Sequence, residues 1–210
     1  MEDNIIWHGE TITDGTAATL HALCDGAFIG DAYLAGGTAL ALRFGHRLSL
    51  DLDFFTPELF DEDALLARLH GLPEFSLVAK APHTIHAVIG GTKVSFLGYS
   101  YRQLFPPAHF EGVPVADPRD IACMKLSAIA SRGTKRDFID LYVASERFGL
   151  AEILNMFARK YSEVHYSRIH ILKSLTFFAD AGKDPMPHML ISLEWNDVMR
   201  FFRKHVPVLL

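Results

Sequence analysis

Few cysteines and no long apolar run limit the kinds of protein that this sequence can describe. Two cysteines, Cys24 and Cys123, occur in 210 residues, which is too few for a disulfide framework, and their spacing is not that of zinc ligands. We expect both to be buried thiols in a reducing cytoplasm. The longest apolar candidate, residues 32–42, contains Gly36-Gly37 and is far shorter than the roughly 20 residues that span a bilayer. The first residues lack the basic and apolar regions of a signal peptide. We therefore expect a cytoplasmic protein with no membrane partner.

The sequence also has fewer basic than acidic residues. Lys and Arg total 20 against 25 Asp and Glu, so the net charge is −5, and any contact with nucleic acid must use a local basic patch. No Gly-x-Ser-x-Gly sequence or Cys/His nucleophile arrangement occurs, which argues against hydrolase chemistry. The histidines, His86 among them, lack a metal-binding spacing and are interpreted as ordinary surface or core groups. With 50% hydrophobic residues, the chain can bury a sizeable core.

The apolar pattern changes about halfway along the chain, from mixed strand and helix signals to helical periodicity beyond residue 117. Strands are predicted at residues 32–35, 50–55, 74–79, 84–89 and 93–97, with a glycine hairpin between the last two. Helices are predicted at residues 13–28, 39–44, 57–70, 117–131, 135–147, 150–161, 166–180 and 193–205. The predicted fold class is α/β (α+β). Residues 1–116 would form a small mixed sheet with flanking helices, and residues 117–210 a helical bundle packed against it.

Two aspartates in the predicted strand at residues 50–55 form the most informative pattern. Residues i and i+2 of a strand point to the same face, so Asp51 and Asp53 project together while Leu50, Leu52 and Phe54 point the other way. Adjacent carboxylates repel each other unless a cation lies between them. Magnesium prefers oxygen ligands and commonly bridges carboxylates to substrate phosphates. We therefore predict that Asp51 and Asp53 are metal ligands.

A glycine turn precedes these aspartates at a predicted strand-to-helix junction. Glycine allows a phosphate to approach the backbone of Gly36 and Gly37, and the helix N-terminus supplies free N–H groups. The hydroxyl of Thr38 would add another donor. A phosphate cradle beside metal carboxylates is what nucleotidyl transfer requires, because charge must be neutralised during displacement at phosphorus. Each pattern alone is typical of an ordinary turn or strand edge, and only their combination favours a catalytic site.

The Gly-Gly-Thr turn, His46-Arg47 and the Asp-Leu-Asp-Phe-Phe run, in this order, resemble the AbiEii-type nucleotidyltransferase toxin family within the polymerase-beta-like nucleotidyltransferase superfamily. The match covers residues 34–55 and, more loosely, 125–142. It implies a nucleotidyltransferase-type fold, Mg²⁺ as cofactor, an NTP as substrate, and RNA, tRNA or protein as acceptor. It also implies a toxin with a separately encoded antitoxin. Among Arg43, His46 and Arg47, the resemblance favours Arg47 as a phosphate contact.

The second matching segment follows a predicted helix end at Gly133. By resemblance, Lys125 contacts the triphosphate, and Asp140, with Asp137 second, activates the acceptor hydroxyl or completes the active site. Arg132 belongs to a group of cations at this helix end and is a further candidate for nucleotide binding. A simpler interpretation is that Arg136 and Asp140 form an ordinary i, i+4 ion pair.

One position departs from the superfamily pattern, which often has a third metal carboxylate on a later strand. Residues 93–97 offer Ser95 there, and a hydroxyl is a weaker magnesium ligand than a carboxylate. A catalytically weakened module that binds a nucleotide or a partner is therefore one alternative. The acidic net charge favours another, nucleotidylation of a cationic small molecule such as an aminoglycoside.

Overall fold

The computed structural model describes residues 5–209. The strands are β1 Tyr33–Ala35, β2 Leu52–Thr56, β3 Phe75–Ala81, β4 Thr84–Ile89, β5 Thr92–Gly98, β6 Ala108–Phe110 and β7 Val113–Val115. The α-helices are α1 Asp14–Asp25, α2 Gly36–Phe44, α3 Glu62–Leu69, α4 Pro118–Ser131, α5 Lys135–Phe148, α6 Leu150–Lys160, α7 Arg168–Ser174 and α8 Trp195–His205. This confirms the predicted fold class, a mixed sheet followed by helices.

The seven strands form one mixed sheet in the order β3-β4-β5-β2-β1-β7-β6. Strand β2 lies between β1, to which it is antiparallel, and β5, to which it is parallel. The predicted glycine hairpin joins β4 to β5, with Ile89 opposite Thr92. This order puts the aspartate-bearing strand in the middle of the sheet, beside the strand that leads into the glycine turn.

The apolar core is continuous across the two predicted domains. Buried side chains of the sheet, such as Phe54, belong to the same cluster as Phe138 of α5 and Phe202 of α8. The division at residue 116 stays a prediction. Cys123 is buried as expected, whereas Cys24, in the last turn of α1, is half-buried. Among the described residues, no helix has both the length and the apolar character needed to cross a bilayer.

Two predicted helices are shorter in the structure by six residues or more. The helix predicted at residues 57–70 begins at Glu62, because the Asp61 side chain accepts hydrogen bonds from the backbone N–H groups of the first turn and caps the helix there. The helix predicted at residues 166–180 spans only Arg168–Ser174 and is capped by Ser167. In both helices a capping side chain, rather than the apolar pattern, sets the first residue.

Strands β6 and β7 were not predicted, because the prolines around them indicated breaks. Pro114 lies inside β7, which is only three residues long and pairs with β1 at Leu34–Val115. Helix α2, in contrast, is longer than predicted: it begins at Gly36, three residues before the predicted start. The Gly-Gly-Thr segment is therefore the first turn of the helix rather than a loop in front of it.

Candidate active site

A cleft of about 670 Å³ lies between the face of β2, β4 and β5 and helices α4 and α5. Nine of the ten sequence-predicted site residues line it: Gly36, Gly37, Thr38, Arg47, Asp51, Asp53, Lys125, Arg132 and Asp137. The tenth, Asp140, does not line the cleft and has no exposed surface.

The paired aspartates enter the cleft from the start of the central strand. Asp51 directly precedes β2 and Asp53 is its second residue. Their neighbours Leu52 and Phe54 are fully buried in the core, as the two-residue period predicts. Leu50, predicted to point the same way as these two residues, is exposed because it precedes the strand and does not share its alternation. The structure thus brings both carboxylates to one cleft.

The carboxylates of Asp51 and Asp53 are neutralised only in part by neighbouring side chains of residues 5–209, so a cation can bind beside them. Within residues 5–209, Asp53 forms no ion pair, and Asp51 pairs only with Arg136, whose Nη1 lies 3.5 Å from Asp51 Oδ2. No group of three or more His, Cys, Asp or Glu side chains in this part of the chain is arranged to hold a metal. Two carboxylates in an open polar cleft fit Mg²⁺, which keeps several waters and takes further oxygen ligands from phosphates.

The N-terminus of α2 reaches the cleft with its backbone N–H groups uncapped. The N-cap residue Ala35 offers no side-chain acceptor, so the first N–H groups of the helix are available to an anion. Gly36 has φ +70°, and a Cβ there would lie 3.1 Å from Asp53 Oδ2. A Cβ on Gly37 would collide with Nη2 of Arg47. Only glycine therefore allows the helix start to lie this close to the carboxylate and the guanidinium.

The Thr38 hydroxyl, expected to contact phosphate, is used inside the protein. It is buried, donates to the backbone carbonyl of Asp51, and pairs with Ser49 Oγ at 2.8 Å. These bonds connect α2 to the segment that leads into β2. Thr38 thus holds the backbone of Asp51 in place, and its predicted contact with phosphate stays a prediction.

A buried ionic network lies beneath the cleft, centred on Asp140 of α5. Arg47 makes a bidentate contact with it, from Nε to Oδ1 at 2.7 Å and from Nη2 to Oδ2 at 2.9 Å. Lys125 Nζ lies 2.7 Å from Oδ2, and His46 Nε2 lies 2.8 Å from Oδ1. Every lone-pair direction of the carboxylate is thereby occupied. Asp140 is therefore enclosed by its partners beneath the cleft, and its predicted role, as activator of the acceptor hydroxyl or as completion of the active site, stays a prediction.

The pKa shifts in this network have a common cause. Burial acts to raise the pKa of Asp140, but the charges of Arg47 and Lys125 outweigh it and hold the pKa well below its usual range. Burial acts to lower the pKa of Lys125, but Asp140 and Asp137 raise it. Burial lowers the pKa of His46, despite its bond to Asp140. His46 is therefore a neutral donor through Nε2, and its Nδ1 has no hydrogen-bond partner among the described residues.

Asp137 connects this network to the start of α5. Its Oδ1 accepts from Lys125 Nζ at 3.0 Å, and its Oδ2 accepts from the Thr134 hydroxyl at 2.6 Å in a capping box. Arg132 lies 3.7 Å from the same carboxylate with its side chain 72% exposed, so it can turn towards a ligand in the cleft. Lys125 is therefore held between two aspartates and directed at the cleft.

Sequence reasoning missed several residues of the cleft. Arg136 pairs with Asp51 rather than with Asp140, so the simple i, i+4 interpretation was wrong. His86, interpreted as an ordinary surface or core group, lines the cleft and hydrogen-bonds Ser95. Two tyrosines, Tyr99 and Tyr161, also line the cleft, with their hydroxyls 2.5 Å apart. Register in the sheet, which spacing within one strand does not reveal, places His86 opposite Ser95, and the packing of the helices brings Arg136 and Tyr161 to the same cleft.

Comparison with known proteins identifies the family of this chain. The family model described as nucleotidyl transferase AbiEii toxin, type IV toxin–antitoxin system, matches residues 19–111 and 95–208. An uncharacterized protein of Aquifex aeolicus is 38% identical over 182 residues, which cover 84% of this chain and 86% of that protein.

Solved structures share the fold at low sequence identity. MenT4, a nucleotidyltransferase toxin of Mycobacterium tuberculosis, aligns with a TM-score of 0.56 and 14% identity over 93% of this chain and 86% of its own. The antibiotic-resistance factor ANT(2'')-Ia aligns with a TM-score of 0.53 and 18% identity over 72% of this chain and 94% of its own. The fold is that of nucleotidyltransferases, and the family match extends over both halves of the sequence. The chain belongs to the AbiEii nucleotidyltransferase toxin family.

Proposed function

We propose that the protein is a Mg²⁺-dependent nucleotidyltransferase that moves a nucleotide from an NTP to RNA, particularly tRNA, or to a protein. We further propose that it is the toxin of a toxin–antitoxin or abortive-infection system and acts in the cytoplasm, opposed by a cognate antitoxin. The observation that carries the proposal is one cleft with three features. Paired carboxylates, Asp51 and Asp53, adjoin an uncapped glycine helix start, and Lys125 faces them from α4.

Each side chain has a defined task in this proposal. The N–H groups of Gly36 and Gly37 bind phosphate oxygens, and Lys125 adds a positive charge that its two aspartates keep in place. Asp51 and Asp53 would hold Mg²⁺, which when bound neutralises charge on the triphosphate. The acceptor oxygen attacks the α-phosphorus in line, and pyrophosphate leaves.

The remaining predicted residues position or extend the site. Asp140 and Asp137 hold Lys125, and Asp140 also holds Arg47 against the underside of the glycine helix start. Arg132, with its largely exposed side chain, closes on the phosphates from the end of α4. In this assignment Arg47 supports the backbone that binds phosphate, while most of its guanidinium is committed to Asp140.

The test compares Asp53→Ala with the wild type and with Asp180→Ala, a surface control. Each protein is incubated with the four α-labelled NTPs and Mg²⁺, together with total bacterial RNA, bacterial protein extract or an aminoglycoside panel. Asp53→Ala should abolish transfer and growth inhibition, whereas Asp180→Ala should behave as wild type. Asp53 forms no ion pair within residues 5–209, so its replacement should not lower the unfolding midpoint.

The acceptor arms separate the alternatives. Label on RNA or protein supports the toxin proposal. Label on aminoglycosides alone would instead favour small-molecule chemistry, the alternative suggested by the net charge of −5. Nucleotide binding without transfer under any metal would indicate a non-catalytic module. Transfer by Asp53→Ala at the wild-type rate would refute the assignment of the site.

A further inference from the structure

Three side chains from adjacent strands lie in a row on the cleft face of the sheet. Asp53 of β2 is the direct partner of Ser95 on β5, and Ser95 is the direct partner of His86 on β4. Directly paired residues of neighbouring strands point to the same face, and all three line the cleft. His86 Nδ1 lies 3.1 Å from Ser95 Oγ, within hydrogen-bond distance. Ser95 therefore lies between the strand position of Asp53, which is proposed to hold the metal, and the imidazole of His86.

Nucleotidyl transfer also needs a group that takes the proton of the attacking hydroxyl, and the cleft offers few. Asp137 is occupied by Lys125 and Thr134, and Asp140 lies outside the cleft. Burial raises the pKa values of Tyr99 and Tyr161, which keeps both phenols protonated at neutral pH.

The other ionisable side chains that line the cleft are Asp51 and Asp53, which are proposed to hold the metal, and the cationic lysine and arginines. His86 is left as a base, since its only hydrogen bond within residues 5–209 is the one to Ser95.

Charged groups surround His86, but within residues 5–209 none of them forms an ion pair with its imidazole. Its partner on the outer strand β3 is Ala79, and the neighbouring Lys80 pairs with Asp63 on the surface. On β5, Lys93 is exposed two residues before Ser95 on the same face. The charged residues that line the cleft beyond the sheet face of β2, β4 and β5 are Arg47, Asp51, Lys125, Arg132, Arg136 and Asp137. None of these groups forms an ion pair with His86 in the described part of the chain.

We propose that Ser95 and His86 form a proton relay on the acceptor side of the cleft. As the acceptor oxygen bonds to the α-phosphorus and the bond to pyrophosphate breaks, the acceptor hydroxyl passes its proton to Ser95 Oγ. Ser95 at the same time passes its own proton to Nδ1 of His86, so the serine is unchanged and the imidazole becomes imidazolium. The proton returns to solvent after product release. The relay rests on the proposed nucleotidyl transfer and adds to it the base that Asp140, by its burial, cannot provide.

The test measures the initial rate of transfer from an α-labelled NTP at saturating concentration, with total bacterial RNA, protein extract or aminoglycosides as probe. His86→Gln and Ser95→Ala should each slow transfer by about 10²- to 10⁴-fold, the usual contribution of general acid–base catalysis. Equilibrium dialysis should show unchanged NTP binding, because the relay assigns neither residue a contact with the phosphates. His21→Gln is the matched control, since His21 pairs with Glu111 outside the cleft, and it should keep the wild-type rate.

Chemical rescue separates proton transfer from a structural role. His86→Ala leaves a space at the cleft wall, and added imidazole should raise its rate several-fold while leaving the wild type and Ser95→Ala unaffected. A wild-type rate in His86→Gln, or a slow His86→Ala variant that imidazole does not rescue, would overturn the relay. If the wild type transfers no nucleotide to any probe, the proposed function fails and the relay with it. An active wild type beside an equally active His86→Gln variant overturns the relay alone.

Discussion

Replacing Asp140 with Asn would test the buried network directly. The change keeps the shape of the side chain but removes a charge shared by Arg47 and Lys125, whose surfaces are only 2% and 8% exposed. Removing one partner of a buried ion pair costs about 3–5 kcal/mol, because the remaining charges stay buried without compensation. Lys125 keeps Asp137 as a partner, whereas Arg47 loses both of its hydrogen bonds to a carboxylate. We therefore expect Arg47 to account for most of the loss.

Urea unfolding followed by circular dichroism would measure this loss. With a slope of about 2.5 kcal/mol per M, the midpoint of Asp140→Asn should fall by about 1–2 M. The control Asp63→Asn removes a surface ion pair with Lys80 and should change the unfolding free energy by no more than about 0.5 kcal/mol. An Asp140→Asn midpoint equal to that of Asp63→Asn would refute the inference that this network stabilises the fold. In the absence of urea, where the variant is folded, its nucleotidyl transfer should also be slower, because Lys125 and Arg47 lose the carboxylate that holds both of them.

Two further predictions follow from the same region. Gly37→Ala should lower the unfolding free energy by about 1–3 kcal/mol and reduce NTP binding, because the added Cβ displaces the Arg47 guanidinium that Asp140 holds in place. A calorimetric NTP titration of the variant that matches the wild type would contradict this. Acidification should narrow the stability gap between wild type and Asp140→Asn. The pKa of Asp140 is lower in the folded than in the unfolded protein. The contribution of its charge to the unfolding free energy is therefore complete above the unfolded pKa of about 4, and it is lost as the pH falls below that value. Urea midpoints of both proteins at a series of pH values would measure the gap, and a gap that stays constant down to strongly acidic pH would count against the assignment.

Local patterns predicted much of the fold. The two-residue period placed Leu52 and Phe54 in the core and both aspartates opposite them, because alternation is a property of a single strand. The glycine hairpin was predicted because the turn chemistry is also local. The same reasoning failed at Glu62, where one capping side chain shortened a helix that the apolar pattern extended further. It also failed for β6 and β7, whose residues form strands only because a neighbouring strand is there to pair with.

The candidate site divides in the same way. The sequence by itself determined the fold class, the paired carboxylates and a glycine turn beside a helix, since each depends on residues a few positions apart. The structure then placed Gly36 inside that helix, as its first residue. Only the tertiary structure decided that Asp140 is buried beneath the cleft, because Arg47 comes from 93 positions away in the sequence and covers its carboxylate. Tertiary structure also decided that His86 lies in line with Asp53, through a register across three strands that depends on how the whole sheet assembles.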